Sequence, residues 1–418
     1  MNISEWDIVY GCSAALLNKR LEAEKNNFCL DINKNFSGIH IKSTFTEWKI
    51  VNGGSSNCIV VEVTSFGKVG RDTPSEKDIC FKNMKSKIRI TLSYIQKGDS
   101  LGHIILNCQK DNVVMLNIDE EGIFKDYPNS RLLLDIIADA YIQTIEENAQ
   151  KLSWVLAEIT QINTSGIALK QFRYIWYQPV NATLTGFLII LGVLDNRDIS
   201  QLPSIVDNNL LYDKDNKAYQ AVFMISAKKF NELFMKKKMP DFFKGSQENH
   251  YRMEGAKILN NGNIPLNSVR AGAINYNPYI SSFDFHMSDE KAITILSGRC
   301  PIKGLTDAYI DFSLSSKNQI QYCRKENKDI VTFKSDPNLA ISANKSIPSW
   351  EEWIGILSLG ILNIVIECIS ASLEDSIESG LSEYSLNAKE LGFYAVNWGV
   401  DLPKSIGGFS DNLYIQCN

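Results

Sequence analysis

A chain of 418 residues that is 44% hydrophobic and 22% charged has an ordinary globular composition, which excludes disorder and low-complexity architectures as its description. It is too long for one ordinary core and suits two modules. The net charge of −5 offers no basic surplus, which argues against nucleic acid as a partner, and the densest basic run, residues 236–238, reads as a solvated helix end.

In chain order, the opening stretch MNISEWDIVYG carries acidic residues where a secretory signal needs positive charge and has no continuous apolar core. The expectation is a soluble chain without a signal peptide, cytoplasmic on synthesis. Ser13 is placed to cap a short helix with Leu16, Leu17 and Leu21 on its apolar side. Strand patterns follow at 58–66 and 88–94. In the second, Ile88, Ile90, Leu92 and Tyr94 alternate with Arg89, Thr91 and Ser93. Residues 103–107 and 112–118 read as a hairpin around the turn at 109–111. The run Asn52-Gly53-Gly54-Ser55-Ser56-Asn57 leads into a strand rather than a helix, so it reads as a hairpin turn and not as a phosphate cradle.

A long helix is predicted from about 130 to 152. Leu134, Ile137, Ala138, Tyr141, Ile142, Ile145 and Ala149 recur in it at helical spacing. Aromatic and aliphatic strands come next at 171–178 and 186–193, the second with no polar face and therefore covered on both sides. The Asp- and Asn-rich segment 195–217 breaks all periodicity and marks a boundary near residue 200. Beyond it Ser226 caps a helix predicted to stop at Pro240. Strands then follow at 269–273, 281–287 and 308–314.

The stretch 349–380 has the most definite pattern in the chain. Ser349 and Glu352 stand at capping-box spacing, and Gly380 with Leu381 at a C-terminal glycine cap. From Trp353 to Ile366 it is apolar on nearly every side, so the expectation is a helix enclosed all round. That apolar part is too short for a bilayer span. Further along it becomes a stripe of Ile366, Ile369, Leu373 and Ile377, with Glu367, Glu374, Asp375 and Glu378 on the wet side. An aromatic strand at 392–398 closes the pattern. Each half thus runs from a short capped helix through strands to a long apolar helix and an aromatic strand, a repeat of architecture without residue identity. Enclosing an apolar helix on several sides requires a strongly bent antiparallel sheet, which leaves an apolar seam between sheet and helix.

Chemistry-bearing motifs are lacking. No GxGxxG, Walker loop, GxSxG or HExxH occurs, and the four histidines, at 40, 103, 250 and 286, lie far apart in sequence. His103 reads as a core histidine and His286 as one facing water. The nine cysteines are scattered with no CxxC pair, which points away from a zinc site or disulfide scaffold. Cys58 and Cys368 read as small core residues. Residues 195–198 and 213–216 lack the spaced acids of a calcium loop. The expectation is no catalytic residue, no metal and no cofactor. What remains is apolar. Trp353, Leu357, Ile361 and Val365 fall along one side of the last long helix, and Ile137, Tyr141 and Ile145 along one side of the other. Both stripes are read first as core and second as candidate liners of a lipid-binding seam.

The phrases WDIVYG at 6–11, WKIVNGGSSN at 48–57, NRDIS at 196–200 and GFYAVNWGV at 392–400, with a mass of 47.1 kDa, resemble the 47-kDa protein family of clostridial neurotoxin gene clusters of the orfX type. The resemblance runs along nearly the whole chain. It implies an α+β fold of the tubular lipid-binding (TULIP) kind, similar to the bactericidal/permeability-increasing protein, with strongly curved antiparallel β-sheets wrapped around long α-helices. It also implies co-expression with a botulinum-like neurotoxin and OrfX proteins, which become candidate partners, and it carries over no catalytic residue. The combined expectation is two TULIP-like modules, 1–200 and 201–418, the second with its long helix at 350–379. Together they make a non-enzymatic accessory protein that binds lipid or another apolar small molecule, or serves instead as a protein–protein assembly component. The expectation leaves room for peripheral membrane contact without a transmembrane segment, and for release alongside the toxin.

Overall fold

The computed structural model describes residues 1, 3–71, 77–119, 122–127, 129–160, 167–181, 184–325, 328–347, 359–402 and 405–418. Two units are formed, each from three separate stretches of chain. One comprises Val9–Phe223, Gly392–Lys404 and Gln416–Asn418, the other Met1–Ile8, Met224–Leu391 and Ser405–Ile415.

In the unit built mainly from residues 9–223, the strands run in the order Asp31–Phe36, Ile39–Ser55, Cys58–Arg71, Ile79–Lys97, Leu101–Asn107, Val155–Thr160 and Val396–Asn397, all antiparallel. Three of these strands are 17, 14 and 19 residues long, well beyond the usual five or six. Intrinsic twist over that length forces the sheet to curl, and register shifts at Phe45/Glu47, Val51/Ser55 and Ser65/Gly67 add the local bend of β-bulges. Gly67 is required at its bulge, because a Cβ there would collide with the Lys42 carbonyl. The helix Ser130–Glu147 packs against Asp31–Phe36 and Val113–Asn117. Ser13 caps the helix Ala14–Ala23 by accepting from the Leu16 amide, and Leu16, Leu17 and Leu21 are buried, as the spacing implies. Phe187–Val193 pairs with Gln171–Tyr177 and is buried at all seven positions.

In the other unit the order is Tyr251–Glu254, Lys257–Asn260, Tyr279–Ser288, Lys291–Pro301, Tyr309–Lys325, Lys328–Phe333 and Ser385–Asn387. Ile264–Pro265 is added beside Tyr279–Ser288, and Ala340–Ser346 beside Tyr309–Lys325. The helix Leu359–Asp375 packs on Val269–Ala271, Tyr309–Lys325 and Ala340–Ser346.

Several expectations are corrected. The strands Leu101–Asn107 and Val113–Asn117 do not form a hairpin with each other. Both pair with Ile79–Lys97, at Thr91–Lys97 and Lys87–Ile90, because a 19-residue strand can seat two short ones in succession. Pro240 does not end its helix. The chain widens into a π-turn at Asn231–Met235 and continues helically from Lys236 through Pro240 to Phe242. Residues 392–398 begin as a 3-10 turn, Phe393–Ala395, entered through Gly392 at φ +80, and only Val396–Asn397 is strand. Gly380 is not a left-handed cap. It lies inside a π-turn, Ser376–Leu381, and a Cβ there would sit 3.2 Å from the Phe242 ring.

The largest correction concerns the last long helix. Its expected start, with the capping pair Ser349 and Glu352, lies outside the described residues. Over the described part, Leu362, Val365, Ile369, Leu373 and Ile377 are buried, whereas Ile364 is 47% exposed and Cys368 and Ala371 are exposed. From Ile366 onward the stripe of Ile369, Leu373 and Ile377 is buried and Glu367, Glu374, Asp375 and Glu378 are exposed, as the spacing implies, whereas in the part expected to be enclosed Ile364 is exposed and Ile366 half-buried. Counting apolar residues misled at Ile364, because isolated exposed aliphatics are normal. The one-sided packing predicts that Leu373→Ala lowers unfolding stability by about 2–5 kcal/mol while Ile364→Ala changes it by less than about 0.5 kcal/mol, as measured by chemical denaturation.

Candidate functional site

On the helix Ser130–Glu147 the candidate liners Ile137, Tyr141 and Ile145 are all 0% exposed. The fold explains why. Their i, i+4 spacing turns one face to the sheet, where Phe45 meets the Tyr141 ring edge-on at 4.8 Å. The Tyr141 hydroxyl lies 3.1 Å from Ser43 Oγ and 2.8 Å from Ser65 Oγ. Those two serines in turn donate to the carbonyls of Phe66 and Met84. The phenol is therefore satisfied in a dry interior, and burial pushes its pKa up to about 12 against the opposing pull of the two serines.

On the other long helix, Val365 is fully buried. Ile361 belongs to the helix, but its side chain, like the whole of Trp353 and Leu357, lies outside the described residues. The two stripes belong to different units.

The i, i+4 series extends backward to a residue not singled out by sequence, Leu133, and there the packing opens. A pocket of about 320 Å³ lies between the start of the helix and the ends of three strands, lined by Ile39, Val69, Ile79, Tyr127, Leu132 and Leu133, with Arg71, Lys77 and Asn129 beside them. Val69 pairs with Ile79 and Ile39 with Arg71, so the pleat sets these side chains at one end of the sheet. Asn129 in the left-handed conformation, φ +56, starts the helix, and Leu132 in its first turn remains 56% exposed. Gly70 also borders the pocket, and any side chain there would strike Asp78. The Asp78 carboxylate accepts from Lys68 Nζ at 2.6 Å and lies 3.1 Å from His40 Nε2, and the Lys68 ammonium holds its pKa below the usual carboxylate range. The available signal was Leu132-Leu133-Leu134: three consecutive leucines exceed what a single buried face can absorb.

Other expected site features fall as follows. His103 is part-buried, with Nε2 3.7 Å from Glu158 Oε1, and His286 Nδ1 lies 2.6 Å from Asp284 Oδ1 rather than simply facing water. Cys58 is half-buried, but Cys368 is exposed and is not the core residue expected. Among the described residues no cluster of three or more His, Cys, Asp or Glu is placed to hold a metal ion, and no helix is long and apolar enough to cross a membrane.

Comparison with known proteins shows which sequences and folds this chain resembles. A family model described as OrfX-like, Protein OrfX2/OrfX3/P47, matches residues 3–388. Protein P47 of Clostridium botulinum (strain Kyoto / Type A2) is 26% identical over 426 residues, spanning 96% of this chain and 92% of that protein. The structure of P47 from Clostridium botulinum A2 superposes with a TM-score of 0.80 at 21% identity, covering 100% of this chain and 98% of the other. P47 of Clostridium botulinum E1 follows with a TM-score of 0.77 at 20% identity, covering 99% and 98%. A lipopolysaccharide binding protein reaches a TM-score of 0.33 at 11% identity, too slight a likeness to carry an argument.

Tyr141 generates a pH prediction. Its folded pKa is raised above the unfolded value of 10.0, so the stability linked to its protonated form is intact below pH 10 and is lost as pH rises toward about 12. Tyr141→Phe should remove that share of the alkaline loss and cost about 0.5–1.5 kcal/mol at neutral pH, read from denaturation curves across pH 7–12.

Proposed function

The chain belongs to the OrfX-like family of Protein OrfX2/OrfX3/P47, and on that footing we propose that it is a non-enzymatic accessory protein of a botulinum-like neurotoxin gene cluster that takes up the apolar tail of an amphiphile. The observation that carries this reading is the pocket at Leu132 and Leu133. Its lining is about half apolar, from Ile39, Val69, Ile79, Leu132 and Leu133, and half polar, with Arg71, Lys77 and Asn129, a mixture suited to an acyl chain ending in an anionic group. Its volume is at the lower end of the range of about 300–1,000 Å³ typical of ligand pockets. A longer tail continuing along the helix from Leu133 would have to displace the packed side chains of Ile137, Tyr141 and Ile145, the candidate stripe. In the other unit Val365 is the described member of the series that the sequence spacing extends to Ile361, Leu357 and Trp353. Burial of each methylene contributes about 0.8 kcal/mol, so roughly ten give about 8 kcal/mol before association costs, and micromolar affinity after costs of at least about 4 kcal/mol takes roughly fifteen or more.

A second reading has one observation in its favour. Ile364, Cys368 and Ala371 form an exposed stripe opposite the buried face of Leu359–Asp375, which suits an assembly component docking to OrfX proteins or neurotoxin.

Native mass spectrometry of protein purified without detergent, followed by titration with the fluorescent fatty acid cis-parinaric acid, separates the two. Lipid uptake predicts a retained or saturable ligand and at least a tenfold weaker titration in Leu132→Asp, a change at an exposed position that leaves the fold intact. A closed interior that neither retains lipid nor takes up the probe would overturn it. A stoichiometric complex with co-expressed cluster proteins in that same lipid-free state would establish the assembly reading.

A further inference from the structure

The unit built mainly from residues 224–391 carries a second feature of a different chemical kind, independent of the apolar pocket. On the outward face of its sheet, a groove of about 420 Å³ crosses four adjacent strands. Strand register places its polar residues in two rows. Ser297, Ser313 and Ser342 stand directly opposite one another, and the bulge between Ile280 and Ser282 adds Ser281 beside them. The parallel row is Tyr279, Arg299, Asp311 and Asn344, again in direct register. Small hydroxyls form the floor and long polar side chains the wall, because on a pleated strand residues two apart share a face.

The wall is held in place before any ligand arrives. Arg299 Nε donates to Asp311 Oδ1 at 3.1 Å, and the guanidinium lies 4.3 Å from the centroid of the Tyr309 ring. This pairing cancels the charge inside the groove. A phosphate would meet the Asp311 carboxylate, and a cation would meet Arg299. An acyl chain would cover side chains that have no other partner: among the described residues, those of Asn263, Tyr279, Ser297 and Ser313 make no hydrogen bond. What fits is a neutral ligand presenting many groups that both donate and accept, over a nearly flat surface bordered by one aromatic ring.

We propose that this groove is a saccharide-binding site for neutral, hydroxyl-rich sugars. Asp311 and Asn344 accept from ring hydroxyls, Arg299 and Asn263 donate to them, the serine floor exchanges bound water for sugar hydroxyls, and Tyr279 packs against a C–H face. Because its lining and chemistry differ from those of the apolar pocket, loss of one need not affect the other.

The test uses the full chain and four neutral probes, maltotriose, cellotriose, chitotriose and N-acetyllactosamine, by saturation-transfer NMR followed by titration calorimetry. At least one should bind saturably with Kd below about 1 mM. Asp311→Asn, nearly isosteric, and Ser313→Phe, which fills the floor, should each weaken that probe at least tenfold with an unchanged thermal melt. If Ser313→Phe fails to fold, Asp311→Asn alone decides. No saturable binding of any probe up to about 10 mM, or binding that survives substitution in the folded variants, overturns the proposal.

Discussion

The structure depends on a constraint set by strand length. Antiparallel strands of 14–19 residues accumulate too much right-handed twist to remain flat. Bulges at Ser65/Gly67 and Phe45/Glu47 concentrate the bend, and one face of the sheet becomes a trough. The helix Ser130–Glu147 then has a defined place to bury Ile137, Tyr141 and Ile145, and the apolar pocket is what remains where its first turn runs past the strand ends. The pocket is thus a geometric consequence of a straight rod packed against a curved surface.

Polar groups register each helix against its sheet. In one unit the Tyr141 hydroxyl reaches Ser43 and Ser65 on neighbouring strands. In the other, Asn318 Nδ2 donates to the Lys334 carbonyl at 2.9 Å and reaches Ser382 Oγ at 3.4 Å, while Ser382 Oγ donates to the Ile377 carbonyl at the end of the helix. Each group would be costly if left unpaired in a dry interior, so these contacts favour one register over neighbouring ones that bury similar apolar area. Apolar packing supplies most of the stabilisation, and these few hydrogen bonds select the alignment. The outer face of the second sheet follows a different logic. There the polar side chains are exposed, and the register between strands arranges them into rows.

Local patterns were legible where the residues concerned interact with near neighbours. The Ser13 cap, the alternation through Ile88, Ile90 and Leu92, the fully buried Phe187–Val193 and the turn at Ser55–Cys58 all rest on contacts spanning a few residues or on a period the pleat imposes. The phrases shared with the orfX-type 47-kDa family led to the family and through it to the curved fold. Which strand pairs with which was another matter. The partner of Val113–Asn117 is Ile79–Lys97 rather than the nearer Leu101–Asn107, a choice between two chemically acceptable edges. The same holds for Pro240 and Gly380, where tertiary packing and π-turns overrode the local breaking signal.

By itself, then, the sequence determined the periodicity of each element, the long apolar stripes, the lack of recognisable catalytic motifs and the family. Side-chain chemistry and local spacing suffice for these. The tertiary structure alone decided where the stripe of Ile137 opens into a pocket at Leu133, and that serines far apart in the chain share one groove. Each of these depends on surfaces brought together from distant parts of the chain. Hydrophobic periodicity records that a side chain avoids water, but it does not specify which neighbour covers it or where that cover ends.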